Sequence, residues 1–182
     1  MCIYVSDESG LRYGIYAIYA NCTHSPICGN KVVGMDQRKN SHVYITRNHS
    51  LFLMDTWEVL PQPNKTVIIR TPRSCSTSNS EQLSWKFSSG NKLVLDQLQK
   101  YKQNARFTLL PHETFSDVFA LFSTVGDTSD SQSFIGFQTS ASDARHSAFL
   151  EKFILPLYWK FELVRDLDNK GRGFSNFINC LF

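Results

Sequence analysis

The amino-acid sequence predicts an all-β fold, and three observations carry that expectation. The 182 residues include 14 Phe and 7 Tyr, an aromatic load that favours pleated, half-buried strands. From His42 onward, short apolar runs follow one another with polar or turn residues between most of them, the spacing of a sandwich or barrel. A loose threefold repeat runs through the same region. The length is that of one domain.

Residues 1–36 differ from the rest. Tyr13, Ile15, Tyr16, Ile18 and Tyr19 form an aromatic cluster, and 21–30 reads as loop. Residues 37–41 are polar and read as a linker, so a boundary is expected near Asp36. Strand-like runs then occupy 42–47, 50–54, 57–60, 66–70, 83–88, 92–98, 105–110, 117–123, 133–138, 147–154 and 157–164. A helical pattern over 93–103 competes with strand character, and its neighbours favour strand. Gly90-Asn91 after Ser88-Ser89 signals a tight turn with positive φ.

Three units open with strand, turn and strand: HVYITRNHSLFLMD, LSWKFSSGNKLVLD and VFALFSTVGDTSDSQSFIGF. TVIIRT, ARFTLLP and YWKFELV are read as their closing strands. Three four-stranded units suit a β-trefoil, twelve short strands in which six close a barrel and three hairpins cap it. Closure removes the free edges that invite aggregation. A nine-stranded sandwich would space its strands similarly; the threefold pattern favours the trefoil. The expected division is a propiece at 1–36, a trefoil domain at 37–165 and a tail at 166–182.

Composition excludes several functions. The net charge of +3 comes without a Lys/Arg stripe, so no nucleic-acid partner is expected. The start of the chain is acidic and lacks the apolar run of a secretory signal. The run Tyr13 to Ala20 is too short to span a bilayer, and no membrane partner is expected. Cys2, Cys22, Cys28, Cys75 and Cys180 contain no CxxC pair; they read as free thiols in a reducing compartment, with no metal. The five histidines are scattered, and neither HExxH nor GxSxG occurs. The expectation is a binding protein rather than an enzyme, monomeric and without cofactor.

These units resemble the interleukin-1 cytokine family, on its interleukin-18 side. HVYITRNHSLFLMD at 42–55 looks like that family's first hairpin. TVIIRTPRSCSTSNSEQLSWKF at 66–87 is similar to the next strand pair, and ARFTLL at 105–110 to its Arg-Phe-aromatic strand. VFALFST, SFIGFQ and WKFEL resemble the last repeat, although Phe122-Ser123-Thr124 stands where the family shows Phe-Glu-Ser. The resemblance implies a pro-inflammatory cytokine made as an inactive cytosolic precursor. An inflammatory caspase would cut it after Asp36, and it would leave the cell without a signal peptide. It would bind receptor chains bearing immunoglobulin-like domains. By the same resemblance, Arg47 and Asp55 fall near a receptor contact, with Arg38, Lys39 and Arg73 as basic candidates on adjoining segments.

Two other readings stand beside it. One is a heparin-binding growth factor or a lectin-type trefoil binder. Residues 125–150 hold only Arg145 against Asp127, Asp130 and Asp143, and no Gln-x-Trp motif occurs. The other is an intracellular trefoil scaffold.

Overall fold

The computed structural model describes residues 10–21, 29, 31–35, 39–46, 53–72, 82–97, 105–123, 133–138 and 147–167. Among them there is no helix. They form fourteen strands: β1 Gly14–Asn21, β2 Lys31–Met35, β3 Val43–Thr46, β4 Leu53–Met54, β5 Trp57–Gln62, β6 Thr66–Arg70 and β7 Leu83–Phe87. The others are β8 Leu93–Gln97, β9 Arg106–Pro111, β10 Val118–Ser123, β11 Ser133–Gly136, β12 Ser147–Phe149, β13 Glu151–Phe153 and β14 Tyr158–Asp166.

Six strands close a barrel. β1 pairs β5, β5 pairs β6, β6 pairs β9, β9 pairs β10, β10 pairs β14, and β14 returns to β1, every pair antiparallel. Inward positions are large and apolar: Trp57, Ile69, Phe107, Leu121 and Trp159 are almost wholly buried. The Trp57 and Trp159 indole N–H groups donate to Val32 O at 3.1 Å and Ile135 O at 3.2 Å. Each ties a barrel strand to a hairpin outside it, and each satisfies a buried donor that would otherwise be costly.

Three antiparallel pairs stand off the barrel: β2 with β3, β7 with β8, and β11 with β13. Backbone hydrogen bonds join them to one another. Leu95 N donates to Ser41 O, Leu93 N to Leu150 O, and Leu150 N to Val43 O. Val43, Leu93, Leu95 and Leu150 are fully buried, so this junction is dry and its backbone groups are paired. Two turns follow local chemistry. Asn64 and Lys65 both take positive φ (62° and 55°) in the three-residue connection between β5 and β6, the left-handed region that Asn enters more readily than most residues. Between β7 and β8 it is Asn91 that takes the left-handed position (φ 63°), with Asn91 N bonded to Ser88 O.

The structure corrects the expected boundary at Asp36. β1 pairs β14 along its whole length and also pairs β5; Tyr16, Ile18 and Ala20 lie in the core and Ile15 is buried. β2 builds the first hairpin outside the barrel. β1 and β2 are thus wall and cap of one domain, not parts of a separable propiece. The aromatic cluster at 13–19 stands out in the sequence because one strand buries nearly every residue. At the other end β14 runs one residue past the expected limit, to Asp166. β4 is a two-residue pairing with β2, and Leu150 alone separates β12 from β13.

Candidate ligand-binding surface

Of the expected receptor-contact residues, Asp55 and Lys39 lie among the described residues, and each has its own ion-pair partner. Asp36, Arg38, Arg47 and Arg73 lie outside the described residues. Asp55 accepts a hydrogen bond from Lys31 Nζ at 3.2 Å, and the Lys31 ammonium sits 5.8 Å from the Tyr19 ring centroid. Burial works against the charge of Lys31, but Asp55 and Tyr19 outweigh it and raise the ammonium's pKa. Lys39 lies elsewhere, 3.7 Å from Asp96, which also binds Lys86 at 2.9 Å. Each residue has a local charge partner.

A buried polar cluster sits where β5 meets β6. Glu58 is outward-facing on β5 yet its side chain is only 3% exposed. Its Oε1 accepts from Arg70 Nη2 at 2.8 Å and from the Tyr13 hydroxyl at 2.5 Å, and its Oε2 accepts from Gln82 Nε2 at 2.5 Å. Burial alone would raise the Glu58 pKa; the bonds from Arg70, Tyr13 and Gln82 and the Arg70 charge outweigh it and hold the carboxyl below its ordinary value. The Tyr13 hydroxyl is pushed up, first by burial and then by its bond to Glu58. Both lone-pair faces of the carboxylate are engaged, so the cluster clamps Tyr13 to the barrel rather than offering a ligand site.

The sign for stability follows. An unfolded Glu titrates near ~4.3, and the folded Glu58 titrates lower. Its stabilisation is present in full above the unfolded value and is lost as pH falls through the folded one. Urea midpoints should therefore fall more steeply on acidification from about pH 6 to about pH 3 in the native chain than in Glu58→Gln. Equal slopes would count against the clamp.

The surface with ligand-binding character lies on the β9–β10 turn. His112 N donates to Val118 O at 2.9 Å, and Phe161 N to Asp117 O at 2.8 Å, so the turn is fastened at both ends. Thr114 N donates to His112 Nδ1 at 3.1 Å. A neutral imidazole accepting there carries its proton on Nε2 and keeps that N–H as a donor. The His112 ring stands edge-on to Tyr158 at 4.8 Å and tilted against Phe115 at 5.2 Å. Phe115 is 53% exposed. Glu113, Thr114 and Ser116 are exposed and Asp117 is half-buried.

This is an aromatic platform edged by hydroxyls and carboxylates. Aromatic faces take up an apolar C–H surface, and the rim offers directional hydrogen bonds. Glu113 and Asp117 oppose a phosphate-bearing ligand, which leaves a neutral, hydroxyl-rich ring as the best match. Sequence reasoning passed over this site, treating His112 as one scattered histidine. The available signal was Phe115 standing alone in the polar stretch His112-Glu113-Thr114-Phe115-Ser116-Asp117. Tyr158 comes from a distant strand. Among the described residues no group of His, Cys, Asp and Glu is placed to hold a metal ion.

No protein-family profile matches the chain, and no curated protein matches it in sequence. Solved structures do match in shape. The crystal structure of Cry35Ab1 superposes with a TM-score of 0.61 at 10% identity, over 91% of this chain and 40% of that one. A Polyporus squamosus lectin, solved with the influenza-binding epitope Neu5Aca2-6Galb1-4GlcNAc, gives 0.53 at 10% identity, over 84% of this chain and 50% of the lectin. The BEL β-trefoil gives 0.53 at 12% identity, over 85% of this chain and 95% of BEL. The chain thus spans half or less of the first two proteins and nearly all of the third. At these identities the likeness is one of fold: this chain is all-β and similar in architecture to β-trefoil proteins.

Proposed function

We propose that the chain is a lectin-type β-trefoil module that binds a glycan on the His112–Phe115–Tyr158 platform. In this reading twelve core strands form three repeats opened by β1, β6 and β10. These begin at Gly14, Thr66 and Val118, at equal steps along the chain. β4 is an extra pairing, and β12 and β13 count as one strand. The observation that carries the functional reading is the exposed Phe115 ring against His112, whose other neighbour is Tyr158, on a turn whose other side chains are polar. The fold likeness to a glycan-bound lectin supports it.

The cytokine reading, with its caspase cut after Asp36 and immunoglobulin-like receptor chains, is less well supported. Excision of residues 1–36 would take β1 out of the barrel, and Asp55 and Lys39 are each engaged by a local ion-pair partner. A glycan array tests the proposal. The full chain should bind a restricted set of neutral glycans. Phe115→Ser should weaken that binding by about tenfold or more, since burying an apolar side chain of this size contributes roughly 1.5–3 kcal/mol, while leaving the melting temperature unchanged. An array without signal, or equal binding by the variant, would overturn it.

A further inference from the structure

Ile154 and Leu155, on the short connection between β13 and β14, are 88% and 66% exposed. They are the two most exposed large hydrophobic side chains among the described residues. The core beneath is complete without them, because Leu150 and Trp159, before and after the connection, are almost wholly buried. Pro156 follows, and a residue preceding proline is held extended, which keeps the pair from folding back. Tyr158 is half-buried at the start of β14, and Lys160 is exposed two residues further on.

We propose that this Ile154–Leu155 tip is a membrane-contact site, seated in the outer acyl region of a lipid bilayer. Tyr158 lies at headgroup level and Lys160 faces the lipid phosphates. Aliphatic side chains backed by a tyrosine and a lysine match the depth profile of a bilayer interface. A protein partner fits less well. Two side chains on a protruding tip offer far less than the ~800 Å² per side of a stable protein interface, whereas a fluid bilayer needs no complementary shape. The contact is peripheral, since Tyr13 to Ala20, the run noted above as too short to span, lies in the barrel wall. It differs from the expectation that the chain meets no membrane, and it does not depend on the glycan reading.

Flotation of the full chain with sugar-free vesicles of phosphatidylcholine, with and without phosphatidylserine, tests it. The native chain should float with the vesicles, more so with phosphatidylserine. Ile154→Ser/Leu155→Ser should lower partitioning at least about tenfold without moving the melting temperature, because both side chains are already exposed. Leu155→Trp adds a spectroscopic readout. The three native tryptophans are 0–1% exposed, so the new indole should dominate any lipid-induced blue shift. A native chain that stays in the aqueous phase with both vesicle types overturns the proposal, as does equal partitioning of the double variant. A blue shift that depends on protein concentration and needs no lipid would instead assign the tip to contact between copies.

Discussion

A chain beginning at residue 37 will not fold. Removing β1 opens the barrel between β14 and β5, exposing two strand edges that the native pairings close. It also strips Leu11, Tyr16, Ile18 and Val32 from the core. Each fully buried side chain of this size contributes roughly 1.5–3 kcal/mol, so the loss is on the order of 10 kcal/mol, comparable to the whole stability of a domain. The backbone ladder between β1 and β14 goes as well. Purified 37–182 should lack the cooperative unfolding transition and the dispersed amide spectrum of the full chain. A truncated product that melts cooperatively near the native temperature would reinstate the boundary at Asp36 and the precursor reading with it.

Arg70→Met is the point substitution with the largest expected cost. The Arg70 side chain is 14% exposed and lies 2.8 Å from a carboxylate that is itself 3% exposed. Taking away the guanidinium leaves Glu58 ionised in the protein interior with only Tyr13 and Gln82 as donors. Breaking a buried pair from one side costs about 3–5 kcal/mol. In a domain of this size that is a fall of on the order of 10 °C in melting temperature. Replacing both partners, Glu58→Met with Arg70→Met, should recover most of the loss, because neither charge then needs solvating. Calorimetry of the two variants separates the cases. A single-variant cost below about 1 kcal/mol would mean that water reaches the pair.

How far the fold was legible in the sequence depends on the range of the interaction. Strands whose sides differ were plain: Arg106-Phe107-Thr108-Leu109 alternates out and in, and β9 lies where that pattern puts it. The turn at Ser88–Asn91 was plain because its cause is local, although Asn91 rather than Gly90 takes the positive φ. Barrel closure was not readable. It joins Gly14 to Asp166, and no local chemistry marks that pairing. β1 is buried at almost every residue, so it lacks the period of a half-exposed strand and reads as an odd cluster. The phase of the repeat is hard to read for the same reason: hairpin turns are conspicuous, whereas nothing local in TVIIRT marks its pairing with both β5 and β9 in the barrel wall. The candidate platform was hidden likewise, since His112 meets Tyr158 only after β10 and β14 have paired.

The central claim is that His112, Phe115 and Tyr158 form the ligand site. A titration of the full chain with the strongest glycan from the array, followed by aromatic and amide NMR, tests it most directly. The account predicts saturable shifts of the His112, Phe115 and Tyr158 ring signals and of the Glu113–Asp117 amides, with the Ile154–Leu155 tip and the Glu58 cluster unmoved. Saturable shifts confined to another face, with these three rings unchanged, would contradict it.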